Sequence, residues 1–198
     1  HDDWYYLILA AATDAQITAI AAWAAATVLS RQDLAAGQKE AEKLLVAQTA
    51  TKTLALTDAQ AFICYNPDAA NSFMHAAWVG RMLGYYPQAV TWKWKDISGV
   101  AAVDVDATAL GTILANHVNT YVNNHKRNYM RDGVCADGEF IDVVIGRWQI
   151  KQAMRAAITN LMVDTDDVPY DDTGFAMVAA AVISALNGAA ENGIIRTI

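Results

Sequence analysis

Basic residues are scarce in this chain. Fourteen Lys and Arg stand against twenty-one Asp and Glu, for a net charge of −7. That deficit disfavours a nucleic-acid partner, whose phosphates need a basic surface. Only two cysteines occur, Cys64 and Cys135, and no motif spacing relates them. Neither a disulfide framework nor a zinc site is indicated, and a reducing, intracellular origin is preferred. The four histidines, His1, His75, His117 and His125, are scattered, with no pair at metal-ligand spacing on a helix. Glycine is missing where a phosphate loop would need it. The first strand-to-helix junction reads Ala10-Ala11-Ala12-Thr13, so side chains block the close backbone approach that a dinucleotide requires. No P-loop and no G-x-S-x-G occurs. The chain is therefore expected to be non-enzymatic, with no catalytic, cofactor-binding or metal-ligating residue and no cofactor.

Long apolar runs are also few. The run from Ile17 to Leu29 is mostly alanine and falls short of the ~20 residues a membrane span needs, so no membrane insertion is expected. Yet 55% of the residues are apolar and only 18% charged, which places the chain among folded proteins. A length of 198 residues suits a single α/β domain over 1–198.

The longest helical pattern follows two Asp-Gly turn signals, Asp132-Gly133 and Asp137-Gly138. Ile141, Val144, Ile145 and Trp148 mark one helical face, and Met154, Ile158, Leu161 and Met162 mark another. The change of face near Gly146 predicts a kinked helix, or two helices meeting there.

From the amino terminus, Tyr5–Ala11 reads as a buried strand. Thr13-Asp14-Ala15-Gln16 is a capping box that opens a helix to about Ser30, with Ile17, Ile20, Trp23 and Leu29 facing the core. Arg31–Lys43 reads as a loop or frayed helix end, and Leu44–Thr49 and Ala61–Tyr65 read as strands. Thr57-Asp58-Ala59-Gln60 repeats the capping pattern with too little chain behind it for a long helix. Asn66 and Pro67 then have the form of an N-cap and a first helical residue, with Met74, Trp78 and Met82 on one face and Gly84 as the stop.

Thr91–Asp96 alternates as a half-buried strand would, with Trp92 and Trp94 on one face. Asp106 can cap a helix through Leu110, Ile113 and Leu114, and Asn119–Asn123 reads as a short strand. An acidic link, Asp164–Asp172, precedes a helix bearing Phe175, Val178, Val182 and Leu186, ended by Gly188 or Gly193. Strands alternating with helices predict an α/β layered fold with a largely parallel sheet.

Four features could carry chemistry, and each has a plainer reading. His75 suits a core or surface histidine better than a ligand. The cluster Asp164, Asp166, Asp167, Asp171 and Asp172 lacks the Gly and the bidentate Glu of a calcium loop and reads as a solvated link with an N-cap. Lys126–Arg131 interleaves base and aromatic as a single-strand binder would, but on an acidic chain reads as a surface loop or protein contact. Trp92 and Trp94 could stack a ligand, but an apolar strand face is usually core.

Several stretches nonetheless resemble, in order, the central part of contractile-tail sheath proteins of myophages. They are Asp3-Trp4-Tyr5 with Thr13-Asp14-Ala15-Gln16, Trp92-Lys93-Trp94-Lys95 with Ser98-Gly99-Val100, Asn119-Thr120-Tyr121, Ala136–Asp142 and Val168–Gly174. The chain departs from that pattern at Asn123-Asn124, where the family carries a Gly pair, and in a short Thr49–Ala61 segment. The resemblance implies a structural subunit of the virion, assembled in the bacterial cytoplasm. Its partners would be other sheath subunits in stacked rings and the tail tube protein. Contraction would drive the tube through the host envelope without nucleotide. It also implies that this stretch is an excised core without the family's terminal arms, monomeric by itself. An α/β enzyme with an unrecognised small-molecule site, or a tail or baseplate adaptor module, is the alternative.

Overall fold

Two strands read directly from the sequence form the middle of the sheet. The computed structural model of the chain describes residues 5–29, 44–57, 60–85 and 90–195. In it β2 (Leu44–Thr49) and β3 (Ala61–Tyr65) are buried at every residue and pair in parallel. Continuous burial is what a parallel strand covered on both faces requires. With β1 (Tyr6–Ile8), β4 (Asn119–Asn124) and β5 (Arg127–Arg131) they make a five-stranded sheet in the order β1-β2-β3-β4-β5. The first four strands are parallel and β5 runs antiparallel to β4 through a tight turn at His125-Lys126. The fold is α/β with a largely parallel sheet.

Alternating residues of β2 and β3 feed two separate layers. Ala47, Ile63 and Tyr65 pack with Ile17 of α1 (Asp14–Leu29) and Ile113 of α3 (Ala107–Ala115). On the opposite face Phe62 meets Trp78 of α2 (Met74–Leu83) edge to face, at 5.4 Å between centroids. The connection from β2 to β3 carries no helix among its described residues. Leu54 and Leu56 instead lie against the α1 and α3 side.

The capping box is realised: Gln16 Oε1 accepts from the Thr13 N–H at 2.9 Å, and Thr13 Oγ1 from the Gln16 N–H at 3.4 Å. Asp106 caps α3 by accepting from Ala109 N–H at 2.7 Å, and Asp171 caps α5 (Asp172–Glu191) from Thr173 and Gly174. Met74, Trp78 and Met82 are all buried, and Gly84 follows the end of α2 as expected.

Other expectations need correction. β1 is a three-residue edge strand, half-buried rather than covered, because only β2 flanks it. On α1, Trp23 is exposed while Ala21 and Ala24 are buried: the helix lies close enough to the sheet that small residues fill the contact. Asn66-Pro67 does not open α2. Asn66 Oδ1 accepts from the Asp68 N–H and its amide donates to Ser72, which holds a turn, and the helix starts only after Phe73. Lys126–Arg131 is the turn and strand of a hairpin rather than a loop, because β4 supplies a pairing edge. Of the two stops read for α5, Gly188 lies inside the helix, while Gly193, at φ +74, follows its end at Glu191 as expected; Phe175 is exposed. Arg31–Lys43, Asp58, Ala59, the Leu29 side chain and the last three residues lie outside the described residues.

The described chain divides into two compact units, His1–Gly84 with Thr91–Val144, and Tyr85–Val90 with Ile145–Ile198. The division passes through α4 (Ile141–Asp164), close to the change of face read from the sequence. The helix itself is unbroken there, so two helices do not meet at Gly146. Gly146 serves a contact: a Cβ on it would fall 3.0 Å from a methyl of Ile194. In the second unit, Gly174 packs directly on the Pro169 carbonyl. By length and composition α5 is also apolar enough to cross a membrane, with mean hydropathy 1.6. The expectation of no such segment rested on Ile17–Leu29 alone.

Candidate functional site

The described residues of the first unit line at least three clefts. One lies at the carboxyl ends of β1 and β2 against the start of α1, about 510 Å³ in volume. Small residues line it (Ala11, Ala12, Ala50, Ala69, Ala70) together with Thr13, Asp14 and Thr51. Asp14 is the centre of its polar groups. Its carboxylate accepts from the Thr49 hydroxyl at 2.6 Å and the Thr51 hydroxyl at 2.5 Å. Behind it, Gln48 donates to the carbonyls of Ala69 and Ser72. The polar side chains here are thus engaged with one another. A second, smaller cleft of about 220 Å³ lies between Ala102–Val105 and the end of β4.

The third cleft, about 430 Å³, surrounds the β4–β5 hairpin tip. It is lined by Trp94, Asp96, Asn123, Lys126, Arg127, Asn128 and Tyr129. Alternation predicts that Thr91–Asp96 is a half-buried strand with both tryptophans on one face. Instead Trp94 takes φ +64 and turns its ring outward, leaving Trp92 fully buried and Trp94 60% exposed. The reason is competition between two partners. Trp92 fills the cluster of Phe62 and Trp78, at 5.3 and 5.2 Å between centroids. The backbone then docks on the free edge of β5: Trp94 N–H donates to the Met130 carbonyl at 3.0 Å, and Met130 N–H to that of Lys95 at 2.8 Å. A left-handed turn at Trp94 reconciles the two. Such a conformation in a bulky residue costs roughly 1–3 kcal/mol and persists only where its surroundings enforce it.

The exposed Trp94 ring rests on Tyr129, 4.5 Å between centroids and tilted 38°, and the Lys93 ammonium lies 5.3 Å from its centroid. Lys93 and Arg131 both reach Asp132, at 3.3 and 3.8 Å. Lys126 and Arg127 are exposed and have no carboxylate partner among the described residues. At the base of the cleft Asp96 accepts a short hydrogen bond from the Tyr121 hydroxyl. Burial first, then this bond, pushes the Tyr121 phenol upward from its ordinary value. The tip can therefore offer an aromatic surface, two cations, two amides and one carboxylate. Two stretches that the sequence offered separately as stacking or basic candidates form one surface. The signal that could have joined them, pairing of residues 94 and 95 with β5, is not local.

The remaining candidates have structural roles. His75 is buried, with Nε2 2.8 Å from the Leu9 carbonyl and Nδ1 3.4 Å from Gln48. His117 lies against the Ala136 carbonyl, and His125 shapes the hairpin turn. Cys64 and Cys135 are both buried, and neither is in a disulfide among the described residues. The acidic link lies exposed between α4 and α5. No grouping of three metal-ligating side chains occurs among the described residues. No protein-family model matches this chain, and no curated protein matches it either.

Proposed function

We propose that the chain is a structural subunit of a contractile tail sheath, polymerising around a tail tube and working by rearrangement of subunit contacts rather than by catalysis. The observation that carries this reading is the ordered series of stretches from Asp3 to Gly174 that resemble such proteins. The described members of the series serve the architecture. Thr13–Gln16 caps α1, Trp92–Lys95 covers the edge of β5, and Asn119 ties β3 to the Gly133-Val134 segment. Val168–Gly174 builds the entry to α5. Electron microscopy of the complete gene product tests the proposal. Tubes or stacked rings are expected; discrete particles under all assembly conditions would overturn it.

The cleft at the carboxyl ends of β1 and β2 favours a second reading, a small-molecule α/β enzyme, since ligands of such folds bind at that end of the sheet. Calorimetric titration separates the two. The sheath reading expects no stoichiometric binding of ATP or NAD, and such binding would favour the enzyme.

A further inference from the structure

The hairpin-tip cleft and the acidic link are complementary in kind. The link from Asp164 to Phe175 carries five aspartates and no basic residue. At its middle Tyr170 is 98% exposed, its ring 5.8 Å from Phe175, itself 60% exposed. Aromatic residues this bare, set among carboxylates, mark a contact surface. The cleft supplies the matching groups: Lys126 and Arg127, without carboxylate partners among the described residues, the Trp94–Tyr129 pair, and Asp96 as an acceptor.

We propose that the cleft of one copy binds the acidic, tyrosine-bearing link of a second copy. Aspartates of the link face Lys126 and Arg127. The Tyr170 ring lies on Trp94 and Tyr129, and its hydroxyl donates toward Asp96. The strained backbone of Trp94 then has a purpose, since it holds an indole outside the core at the place where an aromatic partner arrives. Two different surfaces meet in this contact. It is heterologous and propagates from copy to copy into rings or helical arrays. As a contact between sheath subunits it rests on the reading proposed above. As peptide recognition it stands on the geometry alone.

The test titrates a fluorescently labelled peptide of residues 163–175 into the 198-residue chain and follows anisotropy. Saturable binding with a midpoint below ~1 mM is expected, as for a single weak contact that acts in multiples. Lys126→Glu with Arg127→Glu should weaken it about tenfold, because both charges of the pairing become repulsive. Changes in the peptide avoid any question of folding. Tyr170→Ala should weaken binding to the unaltered chain. Asp166→Lys with Asp167→Lys should abolish it there and restore it on the charge-reversed chain. Absence of saturable binding, equal binding by the charge-reversed chain, or tighter binding of a labelled oligothymidine than of the peptide would each overturn the proposal. Polymers from the complete gene product without peptide binding would remove this contact and leave the sheath reading standing. Peptide binding without polymers would do the reverse.

Discussion

Asn119 and Val134 exchange two hydrogen bonds: the Asn119 amide donates to the Val134 carbonyl at 2.8 Å, and its carbonyl accepts from the Val134 N–H at 2.9 Å. The same side chain also accepts from Gly133 N–H and donates to the Ile63 carbonyl. One buried asparagine thus pairs four backbone groups and ties β3 to the Gly133-Val134 segment. Asn119→Ala should destabilise the first unit by about 2–4 kcal/mol, since several buried polar groups lose their partners at once. Urea unfolding followed by tryptophan fluorescence measures it. A loss below ~0.5 kcal/mol would mean that water replaces the side chain.

Two glycines should respond in opposite directions. A Cβ on Gly174 would lie 1.8 Å from the Pro169 carbonyl oxygen, whereas one on Gly80 would meet nothing within 4 Å. Gly174→Ala should cost roughly 2–4 kcal/mol, read as loss of α5 helicity by circular dichroism at lower temperature. Gly80→Ala, in the interior of α2, should stabilise by about 0.5–1 kcal/mol through reduced unfolded-state entropy.

The tryptophans of the 92–94 segment should differ likewise. Trp92→Ala empties the aromatic cluster on the α2 face and should cost about 3–5 kcal/mol. Trp94→Gly removes an exposed ring and relieves a positive φ. Its net change should stay within about 1 kcal/mol, because the two effects oppose. Thermal denaturation of the two variants side by side decides this.

Acid should act through His75. Burial lowers its pKa below the ordinary value of about 6.5, and the bond to the Leu9 carbonyl offsets this in part. The folded state holds the ring neutral while the unfolded chain takes up a proton. Stability is then full above about pH 6.5. It falls as pH drops from there toward the folded pKa, by up to ~1.4 kcal/mol per unit. The unfolding midpoint of His75→Gln, compared with that of the unaltered chain between pH 7.5 and 5, should lack this decline. Asp142 acts in the opposite sense at lower pH, since burial first of all raises its carboxyl pKa. The difference between the two chains isolates the histidine.

The sequence by itself determined the elements whose causes are local. The capping box at Thr13–Gln16, the Asp106 and Asp171 caps, the buried strands β2 and β3 and the Met74–Trp78–Met82 face all depend on residues a few positions apart. Helical and strand periods record these directly. Tertiary structure alone decided the rest. Alternation at Thr91–Asp96 signalled a strand, but a buried cluster claimed Trp92 and the edge of β5 claimed the backbone beyond it. Asparagine at 119 read only as part of a strand, though its four partners lie 14, 15 and 56 positions away. The cleft itself joins Trp94 to Tyr129. Such arrangements follow from which surfaces compete for one side chain. That competition is settled by packing between distant segments, which a local pattern does not encode.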